Sequence, residues 1–334
     1  MDFRTPFISD ILNRCQAMPG RVILPEGDDP RVVTAAKILS DLKAVKKVVL
    51  LTTAGQKSIP SEDPIIEWVD CRDPSLGHLT RETCTTQLQK KNKPTDPDVL
   101  ESAALNPLYV AGALLDSGDA DCVVAGCVAT TADVIRAAIS TVGLAPGIRT
   151  VSGSFIMDRL NVQGSATKSE TYIFADCGVV IDPTAQQLCD IAIASCETYR
   201  KITDLTPVVA FLSFSTKGSA QHPSAQKMID ATNLFRKKAP HIDADGELQF
   251  DAAFVRDIGL RKAPDSTVPG RANCFVFPDL NAGNIAYKIT QRLGGFSAYG
   301  PILQGVGKPY SDLSRGATPE DIAVSALINI LRSR

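Results

Sequence analysis

The chain has 334 residues, of which 44% are hydrophobic and 22% are charged, and its formal net charge at pH 7 is -2. This composition is ordinary for a globular protein, and the length exceeds what one hydrophobic core usually supports, so we expect two domains. The small net charge excludes a surface-wide attraction to nucleic acid or anionic lipid. Because no apolar run approaches ~20 residues and no secretory signal is apparent, we expect a cytoplasmic protein that does not enter a membrane.

The cysteine and histidine content narrows the chemistry. Nine cysteines occur without a CxxC pair, so we expect buried free thiols rather than disulfides. The three histidines, His78, His222 and His241, have no partner at the spacing of a metal site or of a Ser-His-Asp triad. We therefore predict no metal centre.

In chain order, short β-branched runs alternate with helical patterns, which indicates βαβ units and a largely parallel sheet. Apolar residues at helical spacing between Phe7 and Cys15 predict a docked N-terminal helix, with an addressing or encapsulation peptide as the alternative. The elements predicted after it are strand 21–27, helix 30–42, strand 46–51, an exposed loop at 87–98, strand 121–125, helix 131–140, strands 150–157 and 173–181, helix 184–200, strand 208–215, a helix after Pro223, strand 273–279, helix 281–293 and a last helix from Pro319.

The start of the last helix is the first candidate for chemistry. Thr318 and Pro319 predict the helix start, and Ser314-Arg315-Gly316 immediately before them offers a hydroxyl, a guanidinium and a flexible backbone to an anionic oxygen. Asp321 could instead accept backbone N–H bonds as part of a capping box.

Two further segments have the pattern of anion-binding turns. A predicted strand ends at Gly126 and is followed by Thr130, Thr131 and a helix that carries Arg136, which predicts either a phosphate site or an ordinary capped helix with a surface arginine. Ser213 and Lys217 lie in a polar turn after another strand, and this turn lacks the spacing of a P-loop.

These segments occur together with others that resemble the phosphate acetyltransferase family over almost the whole chain. The motifs are RVILPEGDDPRVVTAA, FVFPDLNAGNIAYKITQRLGG and DLSRGATPEDI. The resemblance implies an α/β fold of two three-layer α/β/α domains flanking a cleft, similar to isocitrate and isopropylmalate dehydrogenases. It implies a discontinuous first domain of residues 1–150 plus 306–334, and an inserted second domain, 151–305, through which a homodimer forms.

The resemblance also implies an activity, namely reversible transfer of acetyl between acetyl phosphate and coenzyme A (CoA), with CoA as substrate and no tightly bound cofactor. Asp321 would take the thiol proton, Arg315 would hold the acyl phosphate, and Ser314 would hydrogen-bond nearby, so that the thiolate attacks directly without an acyl-enzyme. Further contacts to CoA, phosphate or acetyl phosphate are expected from Gly126, Thr130, Thr131, Arg136, Ser213, Lys217, Lys288, Lys90 and Lys91.

Several alternatives stay open. Full proton transfer from a thiol to a carboxylate is uphill by roughly 6 kcal/mol at reference pKa values, so Asp321 is either a base in a concerted step or an orienting group. Gln89 replaces an arginine common in relatives, which predicts weaker CoA binding at that edge. Other functions to weigh are a phosphate butyryl- or propionyltransferase, a non-catalytic acetyl-CoA sensor, and a metal- and NAD-dependent dehydrogenase.

Overall fold

The computed structural model describes residues 5–53, 63–163 and 166–334. The chain forms two compact units. The first comprises Met1–Pro146 and Val306–Arg334, and the second comprises Gly147–Gly305.

The N-terminal part of the first unit alternates helices and strands. In chain order its elements are α1 (Pro6–Ala17), β1 (Gly20–Leu24), α2 (Pro30–Asp41), β2 (Val45–Thr52), β3 (Ile66–Asp70), α3 (Pro74–Lys90), α4 (Pro97–Ala104), α5 (Pro107–Ser117), β4 (Cys122–Val124) and α6 (Thr131–Thr141).

Helix starts are strongly encoded in this part of the chain. Each of α1 to α5 begins with a proline directly after a threonine, aspartate or asparagine whose side chain accepts a backbone N–H of the first turn. Proline has no N–H to leave unpaired at this position, and its fixed φ favours the helix. The repeated cap-proline pairs therefore fix where these five helices begin.

The second unit contains a mixed sheet. Its elements are β5 (Ser152–Gln163), β6 (Ala166–Ala175), α7 (Ala185–Thr203), β7 (Val209–Leu212), α8 (Pro223–Lys238), β8 (Ala244–Leu248), α9 (Phe250–Phe254), α10 (Arg256–Lys262), β9 (Cys274–Val276), α11 (Leu280–Leu293) and β10 (Ser297–Gln304). The strand order is β10-β5-β6-β9-β7-β8.

Pairing in this sheet departs from the largely parallel arrangement that the sequence predicts. β5 is antiparallel to both β6 and β10, whereas β6, β9, β7 and β8 are parallel. The predicted strand 173–181 is wrong beyond Ala175, because the Asp176 carboxylate accepts the backbone N–H groups of Gly178, Val179 and Val180 and closes a turn there.

The chain then returns to the first unit with β11 (Tyr310–Ser311) and α12 (Pro319–Arg332). The five described strands of this unit are all parallel, in the order β11-β4-β1-β2-β3. Helices α1, α2 and α12 pack together, and α3 to α6 form a second group. The expected α/β class therefore holds in both units.

Among the described helices of this unit, α12 is the most deeply buried, with every residue from Ile322 to Leu331 buried. The N-terminal helix docks as predicted, since Phe7, Ile8 and Ile11 are buried and the Cys15 thiol donates to the Leu327 carbonyl at 3.4 Å.

The predicted exposed loop at 87–98 is shorter than expected. α3 continues to Lys90 and buries Gln87, and α4 starts at Pro97. Pro94 and Pro97 follow α3 rather than interrupt it. Among residues 5–53, 63–163 and 166–334, no helix has the length and apolarity needed to cross a membrane.

Candidate active site

The site residues of the first unit lie where three neighbouring parallel strands end. Glu26 follows β1 by two residues, Gly126 follows β4 by two residues, and Asp312 directly follows β11. Because β11, β4 and β1 are adjacent in the sheet, their carboxyl ends share one edge, where ligands bind in open α/β sheets.

The Glu26 carboxylate fills the turn between β4 and α6. Its Oε2 accepts the N–H groups of Gly126 at 2.9 Å and Cys127 at 3.0 Å, and its Oε1 accepts those of Val128 at 3.0 Å and Ala129 at 2.7 Å. The sequence pattern predicted that these amides could hold a phosphate. They bind a carboxylate of the chain itself instead, which satisfies four backbone donors and orders the turn.

Gly126 and Asp312 touch across this edge. Gly126 has φ +106°, and a Cβ there would lie 2.2 Å from Asp312 Oδ1 and 2.7 Å from the Leu313 nitrogen, so only glycine fits. Asp312 is buried, and its Oδ2 accepts the Thr131 hydroxyl at 2.6 Å. Burial raises the pKa of Asp312 to about 6.

Arg31, at the start of α2, connects the three turns. Its guanidinium donates to the carbonyls of Arg315 at 2.7 Å, Ala317 at 3.2 Å and Cys127 at 2.9 Å, and it pairs with the Asp29 carboxylate at 2.7 Å. Hydrogen bonding to Arg31 lowers the pKa of Asp29. A planar donor fork can make these contacts together, whereas a lysine ammonium cannot.

Ser314, Arg315 and Asp321 lie on the turn before α12 and on its first turn. The Ser314 and Arg315 side chains are exposed. Thr318 and Asp321 form a reciprocal capping box, in which the Asp321 N–H donates to Thr318 Oγ1 at 3.2 Å and the Thr318 N–H donates to Asp321 Oδ2 at 3.0 Å. The capping interpretation of Asp321 is therefore confirmed, and the helix N-terminus provides a partial positive charge beside Arg315.

Thr130 and Arg136 make local contacts on α6. The Thr130 hydroxyl donates to Asp133 Oδ2 at 2.7 Å and accepts the Asp133 N–H, and Arg136 pairs with Asp133 Oδ1 at 2.6 Å. These bonds lower the pKa of Asp133, and the hydrogen bond from Thr130 has the largest effect. Arg136 and Asp133 also line an open cavity of about 350 Å³ that includes Asn106 and Tyr109.

Lys90 and Lys91 lie at the opposite end of α6 from Thr131. The Lys91 ammonium donates to the Ile139 carbonyl at 3.0 Å, and partial burial lowers its pKa. Ile139 is eight residues along the helix from Thr131, a rise of about 12 Å. The structure therefore does not bring Lys91 to Thr131, and Lys90 is an exposed residue at the end of α3.

The remaining predicted substrate contacts belong to the second unit. Ser213 accepts the Ser215 N–H at 3.2 Å, and the Lys217 ammonium pairs with the buried Asp245 carboxylate at 2.5 Å. Lys288 is exposed on α11. Within this unit these side chains stabilise a polar turn after β7 or face solvent.

Glu26, Arg31 and Asp312 were not predicted as site residues from the sequence. The one indication in the sequence is that each of these residues lies close to the end of a strand. It points to a shared site only once β11, β4 and β1 are known to be neighbours, and periodicity along the chain does not reveal the order of strands in a sheet. Across the described ranges, no three histidine, cysteine, aspartate or glutamate side chains are arranged to hold a metal ion.

Comparison with known proteins identifies the family. The sequence profile described as "Phosphate acetyl/butaryl transferase" matches residues 6–330. A phosphate acetyltransferase from Paracoccus denitrificans is 41% identical over 321 residues, covering 96% of each chain. The chain belongs to the phosphate acetyl/butaryl transferase family. The family resemblance of the sequence motifs is thereby confirmed, and the chain is an acyltransferase.

Solved structures agree with this family assignment. A phosphotransacetylase from Streptococcus pyogenes has a TM-score of 0.87 at 37% identity, covering 100% of this chain and 99% of that one. A structure described provisionally as a 4-hydroxythreonine-4-phosphate dehydrogenase from Salmonella typhimurium has a TM-score of 0.50 at 12% identity, covering 94% and 99% of the two chains. The second likeness concerns the fold alone, and it agrees with the dehydrogenase-like fold that the family resemblance implied.

Proposed function

We propose that this chain catalyses the reaction acetyl-CoA + phosphate = acetyl phosphate + CoA. The observation that carries the proposal is the bond from Thr131 to Asp312, together with the Arg31 contacts to Cys127 and Arg315. These bonds join the start of α6 and the segment just before α12 at one sheet edge of a phosphate acetyl/butaryl transferase family member. Two helix N-termini and an exposed guanidinium suit a substrate with a phosphoryl group.

The proposed reaction is a direct displacement. The CoA sulfur attacks the acetyl carbonyl, its C–S bond forms as the C–O bond to phosphate breaks, and no acyl-enzyme is formed. Arg315 neutralises charge on the acyl phosphate and on the departing phosphate, and Ser314 hydrogen-bonds beside it. These roles are supported by the position of both side chains, which are exposed on the turn before α12.

Asp321 acts on the thiol proton in this proposal. The capping bond engages Oδ2, so the thiol points at Oδ1. Proton removal that is concerted with attack avoids the cost of forming a free thiolate next to a weakly basic carboxylate. A carboxylate that only orients the thiol would still hold it at the attacking distance.

The CoA body is proposed to lie along α6. The cavity beside Arg136 and Tyr109 offers an open groove of about 350 Å³ in the first unit. Arg136, which is paired with Asp133 and largely exposed, would turn to a CoA phosphate, with Thr130 and Gly126 holding the turn next to it. Lys90, Lys91, Ser213, Lys217 and Lys288 stay predicted contacts to anionic groups. Gln89 leaves one edge without a bidentate donor.

A thioester assay tests the function. Purified protein is mixed with acetyl phosphate and CoA, and thioester formation is followed for the wild type, Asp321→Asn and Arg315→Ala. We expect each substitution to lower kcat roughly 100-fold or more, the usual size for a positioned acid–base or charge-stabilising group. Arg72→Ala, at an exposed ion pair with Asp70, is the matched control and should turn over like the wild type.

Other outcomes of this assay identify the alternatives. A higher kcat/KM with butyryl phosphate than with acetyl phosphate would identify the protein as a phosphate butyryltransferase, which has a larger acyl pocket. Saturable CoA binding without turnover would indicate a sensor. Full activity in both Asp321→Asn and Arg315→Ala would refute the site assignment.

We also propose a homodimer formed through the second unit, in the cytoplasm. Ile285, Ile289 and Leu293 form an exposed apolar stripe at helical spacing along α11, which is typical of a surface that is covered by a partner. All nine cysteines are buried thiols, which agrees with a reducing compartment. Light scattering of wild type and Ile289→Lys tests the dimer, which we expect the lysine to dissociate.

A further inference from the structure

The Thr131 hydroxyl already donates its hydrogen to another side chain of the protein. Thr131 is the first residue of α6 and is exposed, and its Oγ1–H donates to Asp312 Oδ2 at 2.6 Å. Asp312 is only 1% exposed. The hydrogen therefore points into the protein, and the oxygen lone pairs of Thr131 are what the surface presents.

An ionised Asp312 carboxylate is the strongest acceptor for the Thr131 hydroxyl. A hydroxyl donating to a carboxylate lies at roughly 2.5–2.7 Å, shorter than a bond between neutral groups. Burial raises the pKa of Asp312 to about 6, with the Thr131 bond opposing the shift. The carboxyl is therefore ionised at pH 7.5.

Two titratable groups act on Asp312 from neighbouring elements. The Glu26 carboxylate in the turn after β1 raises the pKa of Asp312, whereas the hydrogen bond from Thr131 lowers it. The buried Tyr310 on β11 is the second neighbour. Glu26 itself accepts four backbone amides, which hold it in its own turn.

An oxyanion would be a poor ligand for Thr131. To donate to a phosphate oxygen, the hydroxyl would have to leave Asp312. Asp312 Oδ1 has no hydrogen-bond partner within the described part of the chain, so this would take from a buried carboxylate the side-chain donor that its Oδ2 has. An unsatisfied buried ionised group is unfavourable, so the bond to Asp312 persists.

We propose that Asp312 is a positioning residue that fixes Thr131 as a hydrogen-bond acceptor, and that Thr131 contacts a donor on the pantetheine arm of CoA, an amide N–H or the thiol, rather than the phosphoryl group. This rests on the proposed function. It also reassigns Thr131, for which the family resemblance implied a contact to acetyl phosphate.

Steady-state kinetics of Thr131 variants test the proposal. In Thr131→Val we expect KM for CoA to rise about fivefold or more, the effect of one lost hydrogen bond, with KM for acetyl phosphate within about twofold of wild type. Thr131→Ser keeps the hydroxyl and should restore wild-type KM for CoA. Thr86→Val removes an exposed helical hydroxyl on α3 and should change neither constant. A raised KM for acetyl phosphate with an unchanged KM for CoA would overturn the proposal.

A double-mutant cycle tests the role of Asp312. Asp312→Ala, which removes the acceptor of the Thr131 hydroxyl, should raise KM for CoA in the wild-type background and add nothing in the Thr131→Val background, because Asp312 acts through that hydroxyl. Independent, additive effects would exclude the positioning role. Desulfo-CoA distinguishes the two donors, since an equal loss of its affinity in Thr131→Val assigns the amide and an unchanged affinity assigns the thiol.

Calorimetric titration with CoA separates this inference from the proposed function. If the wild type binds CoA but shows no turnover, the function fails while the Thr131 contact can still be measured by affinity. If the wild type turns over and Thr131→Val binds CoA as tightly as the wild type does, the inference fails alone.

Discussion

Carboxylates of the chain itself close three of the turns that follow strands. Glu26 accepts four amides after β4, Asp176 accepts three after β6, and Glu247 accepts the Gly218 N–H at 2.8 Å in the turn after β7. Amides that converge in a turn attract any negative group, and a carboxylate on a nearby strand end reaches them without the entropy loss of binding a free ion. An amide-rich turn after a strand therefore does not by itself predict a phosphate site.

Glu26→Gln tests the structural importance of one such carboxylate. The glutamine keeps the shape but replaces one accepting oxygen by an NH₂ group, so two of the four amides lose their acceptor. We expect a loss of about 2 kcal/mol in the free energy of unfolding, measured by urea denaturation, because a partly buried unsatisfied donor costs about 1–3 kcal/mol.

A matched control for this substitution is Glu67→Gln. Glu67 is half exposed and pairs with Lys47 on the surface of the sheet edge, where an ion pair contributes about 0–1 kcal/mol. Equal destabilisation by the two substitutions would contradict the importance assigned to the Glu26 turn.

At the level of elements, the start of α12 carries both a cap and a proposed catalytic group. Thr318→Ala removes the acceptor of the Asp321 N–H, but the bond from the Thr318 backbone N–H to Asp321 Oδ2 does not need the threonine side chain. We expect a loss of about 1 kcal/mol of stability with kcat within about threefold of wild type. Urea denaturation and the thioester assay measure the two effects, and Thr318→Ser should behave as wild type. A loss of kcat as large as that of Asp321→Asn would show that the cap itself positions the carboxylate.

A second prediction concerns the β5–β6 pair of the second unit. Asp158 on β5 is buried and accepts the Thr171 hydroxyl at 2.8 Å, and burial raises its pKa from 3.8 to about 6. Between about pH 4 and pH 6 the folded state thus retains a proton that the unfolded chain has released. Folding stability therefore falls as pH rises through this range, and the loss is complete above pH 6.

Asp158→Asn removes this titration and keeps an acceptor for Thr171. We expect the variant to be more stable than the wild type at pH 7, by at most ~3 kcal/mol, and the difference to shrink towards pH 4. Urea denaturation at half-unit pH intervals measures it. Asp182→Asn, at a largely exposed carboxylate whose pKa is lowered by a hydrogen bond from Lys227, should gain no stability relative to the wild type as the pH rises. A constant difference between Asp158→Asn and the wild type from pH 4 to pH 7 would be inconsistent with a titrating Asp158.

Local signals explain which elements could be predicted. Helices α2, α6, α8, α11 and α12 follow from caps and apolar periodicity, which act within one turn of helix. The antiparallel β5–β6 pair and the end of β6 at Ala175 depend on partners and on a turn that the apolar run of 178–181 conceals. The DLSRGATPED motif is readable because its residues are contiguous. Glu26, Arg31 and Asp312 become a cluster only through the order of the strands.

At the scale of the whole molecule, the chain leaves and re-enters the first unit at adjacent points. Leu144 pairs with Val306 in an antiparallel bridge, and the Gly307 N–H donates to the Gly143 carbonyl at 3.0 Å. A short Gly/Ser linker can therefore join Pro146 to Val306, with a small loop-closure cost. The inserted Gly147–Gly305 has its own sheet and an aromatic core that includes Phe174 and Phe275.

We expect both the first unit, closed by this linker, and the isolated second unit to fold, each with a single cooperative urea transition and protected amides in its strands. We also expect the second unit to be dimeric by light scattering and its Ile289→Lys variant to be monomeric, since the apolar stripe of α11 belongs to that unit alone. If the isolated second unit lacks amide protection while the full chain has it, the two units do not fold independently, because the inserted unit then needs the rest of the chain to hold its sheet.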